Sequence, residues 1–161
     1  MDITADLPFP EPTEAILYQL HLVKLGLKPC VLIPHYAPKC PIEEKDFVIT
    51  PTARGCLVHL PTLSRATINR SLHKAPGLLF GYGIPNRPVI GPLWASCLFT
   101  SDGQELLSVC VNSETYPIVE ANLHRYKSAT SHLGVIQTSK SIPEIINLRL
   151  DYWKKHYNKT N

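Results

Sequence analysis

Leu93-Trp94-Ala95-Ser96-Cys97-Leu98-Phe99-Thr100-Ser101-Asp102-Gly103-Gln104-Glu105-Leu106-Leu107-Ser108-Val109-Cys110-Val111 is the stretch on which the fold turns. Two apolar runs, 93–99 and 105–111, flank Thr100-Ser101-Asp102-Gly103. Asp-Gly between two such runs is a hairpin signature, because glycine reaches positive φ without steric cost. The expected turn at Asp102-Gly103 is exposed, with strands ending near Phe99 and resuming near Gln104.

Downstream, Asn112 or Ser113 caps a helix over residues 113–126, with Pro117 tolerable only in its first turn. Val135-Ile136-Gln137 reads as a strand. Ser141-Ile142-Pro143-Glu144 has capping-box spacing and opens a last helix over residues 142–157. Its apolar positions are Ile145, Ile146, Leu148, Leu150, Tyr152 and Trp153.

Upstream, residues 1–12 form an extended, proline-rich lead-in, and Thr13 caps a helix over 13–26 that Gly26 stops. Cys30-Val31-Leu32-Ile33 is a short buried strand closed by Pro34, and Phe47-Val48-Ile49 is a strand fragment. Cys56-Leu57-Val58-His59-Leu60 is a clearer strand, followed by a helix over 62–74 that begins at Pro61 or Thr62. Residues 76–92 are a Gly/Pro-rich insertion loop, in which 78–83 is a strand weakened by Gly81 and Gly83.

From the strand at 55–60 onward the order is β, α, β, β, α, β once the insertion is set aside, the order of a ferredoxin-like split βαβ core. The fold class is therefore α+β: one domain over 1–161, with an antiparallel-rich sheet of four to six short strands and flanking N- and C-terminal helices.

The composition suits a globular core: 161 residues, 44% hydrophobic and 18% charged, with 15 prolines that demand much irregular chain. The N-terminus lacks the basic and apolar regions of a secretory signal, and no apolar run is long enough to span a bilayer, so the expected location is cytoplasmic. Cys30, Cys40, Cys56, Cys97 and Cys110 then read as reduced thiols, with Cys30, Cys97 and Cys110 buried inside apolar runs. No two Cys or His residues have zinc-knuckle spacing, and Gly77-Leu78-Leu79-Phe80-Gly81-Tyr82-Gly83 is neither a dinucleotide nor a P-loop fingerprint, so neither metal nor cofactor is expected.

Charge is segregated along the chain. Residues 47–101 hold Arg54, Arg65, Arg70, Lys74 and Arg87 and no Asp or Glu. Blocks 1–46, 47–101, 102–120 and 121–161 carry −3, +5, −4 and +5, against a net +3. Such a field suits an anionic partner. Arg65, Asn69 and His73 follow i, i+4, i+8 on one helix face, and Arg70 and Lys74 form the adjacent stripe. Guanidinium forks and amides match phosphate and sugar oxygens. The last helix offers a second patch, Arg149, Lys154, Lys155, His156 and Lys159, interleaved with Tyr152, Trp153 and Tyr157. Basic charge beside aromatic rings meets both backbone and base faces of a single strand. The first patch also fits the solvated side of an amphipathic helix; in the second, Tyr152 and Trp153 also fit docking of the helix to the core, and the lysines fit the helix dipole.

No catalytic residue is assigned. Cys56 with His59 and Cys97 with His124 are the pairs that nucleophilic catalysis would use, but neither sits in an enzyme-family motif. The sequence leans toward a small non-catalytic subunit that binds nucleic acid or supports a nucleoprotein assembly through Arg65, Asn69, Arg70, His73, Lys74, Arg149, Lys154 and Lys155. The alternatives are a protein–protein adaptor, using the Pro-rich termini and loop 76–92, and a small Cys/His-dependent enzyme.

Overall fold

A computed structural model describes residues 12–34, 45–88, 90–91 and 94–156. The lead-in through residue 11, Cys40, Glu43 and Glu44, and Tyr157 and Lys159 lie outside the described residues. The fold is α+β, built from α1 (Thr13–Lys24), β1 (Cys30–Pro34), β2 (Val48–Pro51), β3 (Gly55–His59), α2 (Arg65–Lys74), the single turn α3 (Pro76–Leu79), β4 (Trp94–Phe99), β5 (Glu105–Val111), α4 (Tyr116–Ala129), β6 (Ile136–Ser141) and α5 (Ile142–His156).

The strands divide between two antiparallel three-stranded sheets, one ordered β1-β3-β2 and the other β5-β4-β6. The order of elements from β3 onward is the expected one, but β3 lies in the first sheet while β4, β5 and β6 make the second. A ferredoxin-like arrangement needs those four strands in one sheet; here β6 pairs with β4 instead. What forms is a βαβ unit, β5-α4-β6, with β4 inserted antiparallel between its strands.

The hairpin is as expected. Gly103 has φ 93°, Gln104 N–H donates to Thr100 Oγ1 at 2.9 Å, and the Thr100 hydroxyl bonds Asp102. A bulge between Leu98 and Phe99 places Leu106 and Leu107 in the same core.

Each sheet carries helices on both faces, and strand alternation decides which residues meet them. In the first sheet Val31 and Val58 pack against Ile16, Leu20 and Val23 of α1. Cys30 and Leu57 face the other way, onto Ile68 of α2 with Leu79 and Phe80. In the second sheet Leu98, Leu107, Val109 and Val111 pack with Val119, Leu123 and Tyr126 of α4 and with Tyr18 and Leu22 of α1. Ala95, Cys97, Phe99 and Cys110 face Ile145 of α5. Helix α1 thus serves both sheets, which is why seven of its twelve residues are buried and its apolar character runs nearly all round. The helix has no side-chain cap; the orphan N–H of Thr13 donates instead to Tyr152 Oη of α5 at 3.2 Å.

Helix α2 begins later than expected, at Arg65, because Ser64 and not Pro61 or Thr62 supplies the cap; its Oγ accepts from Thr67 N–H at 3.2 Å. Pro117 falls in the first turn of α4, where it is harmless, and Asn112 Oδ1 accepts from the N–H groups of Glu114 and Thr115, each at 3.0 Å. The capping box at α5 is formed: Glu144 N–H donates to Ser141 Oγ at 3.2 Å and Ser141 N–H to Glu144 Oε1 at 3.1 Å. Those bonds from Ser141, backbone first, hold the exposed Glu144 carboxyl below its ordinary pKa.

Residues 78–83 make no strand. The stretch is a packed plug: Leu79, Phe80, Gly81 and Ile84 are buried, and Gly81 has φ 77°. Tyr126 Oη and Asn122 Nδ2 donate to Gly81 O at 2.6 and 2.8 Å. Lys28, 2% exposed, donates to Phe80 O with its ammonium 5.3 Å from the Tyr82 ring. A side chain at position 81 would meet Tyr126 Oη at 2.6 Å and Lys28 Cγ at 2.8 Å, so glycine is required there for space as well as for φ.

Cys30, Cys97 and Cys110 are buried as expected, and with Cys56 they are free thiols. Burial raises the Cys30 thiol to about 11 and the Cys97 thiol to about 12. Neither is a nucleophile at neutral pH.

Candidate nucleic-acid interface

Helix α2 lies on the outer side of the first sheet and buries one residue of its ten, Ile68. That side chain, with Leu63 and Leu72 beside it, docks the helix. Everything else on α2 is free to face outward by helical phase, and Arg65, Asn69, Arg70, His73 and Lys74 are all exposed. The five residues picked out from the sequence therefore share one solvent-facing surface. Arg70 Nη2 makes a long contact, 3.4 Å, with Thr67 Oγ1 of the same helix. The first turn of α2 carries no acid, and His73 and Lys74 stand where cations complement the helix dipole. Arg54 and Arg87, from the same acid-free block, are also exposed. A surface of this kind can cradle phosphates through guanidinium forks while Asn69 bonds sugar or phosphate oxygens.

The second patch is divided. Lys154, Lys155 and His156 are exposed on the last turns of α5. Arg149 is not: its side chain is 4% exposed and its Nη2 lies 2.6 Å from Glu105 Oε2, with that carboxylate 3% exposed. Arg149 Nε donates to the same carboxylate at 2.9 and 3.1 Å. The expectation that Arg149 contacts nucleic acid is thereby overturned, since a fully desolvated guanidinium held side-on by a carboxylate cannot reach a phosphate. Its position on the helix explains its fate. Ile142, Ile145 and Ile146 define the docked stripe of α5, and Arg149 continues it one turn on. Glu105, inside the apolar strand β5, is the partner that makes burial tolerable.

Beyond Arg149, α5 ends against the start of α1. Tyr152 Oη donates to Glu14 Oε2 at 3.2 Å, and its ring stacks on His156 with centroids 4.0 Å apart and planes 20° apart. Phe99, Gln104, Leu148, Asp151, Lys155 and His156 are among the residues that line an open cleft of about 190 Å³ between α5, the hairpin turn and the start of α1, with Pro12, Glu105 and Tyr152 on its walls. This cleft was not foreseen from the sequence, because its walls come from three distant segments.

The two Cys/His pairs are kept apart. Cys56 and His59 project from opposite faces of β3, and His59 Nδ1 lies 2.8 Å from Leu60 O. Cys97 faces α5, whereas His124 is exposed on α4 across the sheet. Among the described residues no three His, Cys, Asp or Glu side chains gather as metal ligands, and no helix is long and apolar enough to cross a membrane. No protein-family model matches the chain, nor does any curated protein or solved structure.

Proposed function

We propose that the chain is a non-catalytic subunit that holds nucleic acid, or supports a nucleoprotein assembly, through the exposed face of α2. The observation that supports this reading is the outward placement of Arg65, Asn69, Arg70, His73 and Lys74 on a helix that buries only Ile68, within a block of sequence devoid of acids. Phosphate contacts of this kind release counterions, so affinity falls steeply with salt, with a slope of about −0.9 per phosphate on duplex DNA. They carry no base information, so Arg65→Glu/Arg70→Glu weakens binding to every sequence alike. An electrophoretic shift titration at low salt tests this. Binding by the unmutated chain that is lost in the double variant upholds the reading; absence of binding by the unmutated chain ends it.

A protein–protein adaptor is the second reading, and one observation favours it. Ile90, in the Gly/Pro-rich loop, is 86% exposed, and Asn112 Nδ2 pins its carbonyl at 3.1 Å. A large apolar side chain held out in water suits a partner protein, and binding through it would be insensitive to salt.

A further inference from the structure

The cleft beside α5 brings together flat apolar surface, hydrogen-bonding groups and a cation. Its lining includes the stacked Tyr152–His156 pair with Phe99 and Leu148, which offer flat and apolar surface. Gln104 and Asp151 add hydrogen-bonding groups, and Lys155 adds a cation, with exposed Lys154 adjacent in the helix. The volume, about 190 Å³, is below the roughly 300–1,000 Å³ of pockets that enclose drug-sized ligands. It suits one planar ring system rather than a whole dinucleotide cofactor. The carboxylate of Asp151 repels phosphate but accepts from an exocyclic amino group, so it suits the edge of a base more than the backbone. Glu105, which also lines the cleft, has its charge met by Arg149.

From this combination we propose that the cleft receives a single unpaired base of a nucleic-acid strand, stacked on the Tyr152–His156 pair, with the neighbouring phosphate met by Lys155. The inference rests on the nucleic-acid reading above and deepens it: the preferred ligand is single-stranded. A base inside a duplex is stacked on both faces and cannot enter, whereas an unpaired base presents its π-face freely. The cleft then supplies the discrimination between single strand and duplex.

The test is fluorescence anisotropy with one labelled mixed-sequence 12-nucleotide oligonucleotide, offered single-stranded and as its duplex, against the full chain. His156→Ala changes an exposed residue and so leaves the fold intact. It is expected to weaken single-strand binding by roughly 5- to 150-fold, the range of one lost stacking contact, and to leave duplex binding unchanged. Tyr152→Leu is expected to do the same while Tyr152→Phe, which keeps the ring and loses the bond to Glu14, retains binding. The defect of His156→Ala persists as salt rises, whereas that of Lys155→Glu shrinks. Equal affinity for single strand and duplex, or unchanged single-strand binding in His156→Ala, overturns the cleft proposal and leaves the α2 reading standing. Loss of all binding in Arg65→Glu/Arg70→Glu together with unchanged single-strand binding in His156→Ala would assign the site to α2 alone. No binding by the unmutated chain overturns both.

Discussion

Helices α2 and α5 both carry a basic face, yet they treat arginine in opposite ways. Helix α2 lies over its sheet on a narrow stripe around Ile68, and Arg65 and Arg70 stay in water. Helix α5 is docked along Ile142, Ile145 and Ile146, and Arg149 is drawn into the same stripe to meet Glu105. The difference teaches that helical phase, not residue type, decides whether a cation is available to a partner. Arg149, one turn past docked Ile145, goes to the interior because the facing strand supplies the Glu105 carboxylate.

The sharpest way to break this contrast is to remove the guanidinium from each helix in turn. Arg149→Met leaves Glu105 buried and unpaired, with an expected loss of about 3–5 kcal/mol in chemical denaturation. Adding Glu105→Leu to that variant should restore most of the loss, because a well-packed apolar pair removes the stranded charge. The matching change Arg65→Met should stay within about 0.5 kcal/mol of the parent. Similar costs at both positions would mean that the two helices do not differ as described.

The thiols beneath the two helices sharpen the comparison in the pH dimension. Cys97 lies under α5 and Cys30 under α2, raised by burial to about 12 and about 11 from an ordinary 9.0. Both therefore keep their protons in the folded chain at a pH where the unfolded chain has lost them. Their contribution to stability is fully present below about pH 9 and is lost as pH climbs through the folded values. Stability measured by urea titration should fall over that alkaline window. Cys97→Ala and Cys30→Ala should each flatten the fall, and an unaltered slope in both variants would remove the thiols as its cause.

A smaller effect is expected at the start of α5. Ser141→Ala removes the Oγ that accepts from Glu144 N–H and should cost about 1 kcal/mol in thermal or urea unfolding. An unchanged midpoint would show that α5 is held by its docked stripe alone.

Much of this was legible in the residues. Asp102-Gly103 located the hairpin, Ser141-Ile142-Pro143-Glu144 located the last helix, and i, i+4, i+8 spacing placed Arg65, Asn69 and His73 together. These signals are local, and local chemistry enforces them. The division of strands between two sheets was not legible, since nothing in β3 or β6 states which neighbour it will pair with. That 78–83 forms a packed plug and no strand was not legible, because Gly81 serves close approach to Tyr126 and Lys28, which lie far off in the sequence. The burial of Arg149 had a signal that went unused: its spacing from Ile142 and Ile145, and a lone Glu105 opening an apolar strand. The cleft beside α5 depends on Pro12, Phe99 and Tyr152 meeting across the whole chain, which no local pattern encodes.

Helix α1 has a consequence for how the chain comes off the ribosome. Its partners in the first sheet are made soon after it, but Gln19 Nε2 waits 87 residues for Leu106 O, and Tyr18 Oη waits 112 for Thr130 Oγ1. Until β5 and α4 emerge, the side of α1 that carries Tyr18 and Leu22 has no cover, while the opposite side is already seated on β1 and β3. Covering that side requires contacts of long sequence separation, which form slowly relative to local ones. Synthesis stalled between the two halves would leave that apolar surface to chaperones or to other copies of the same fragment.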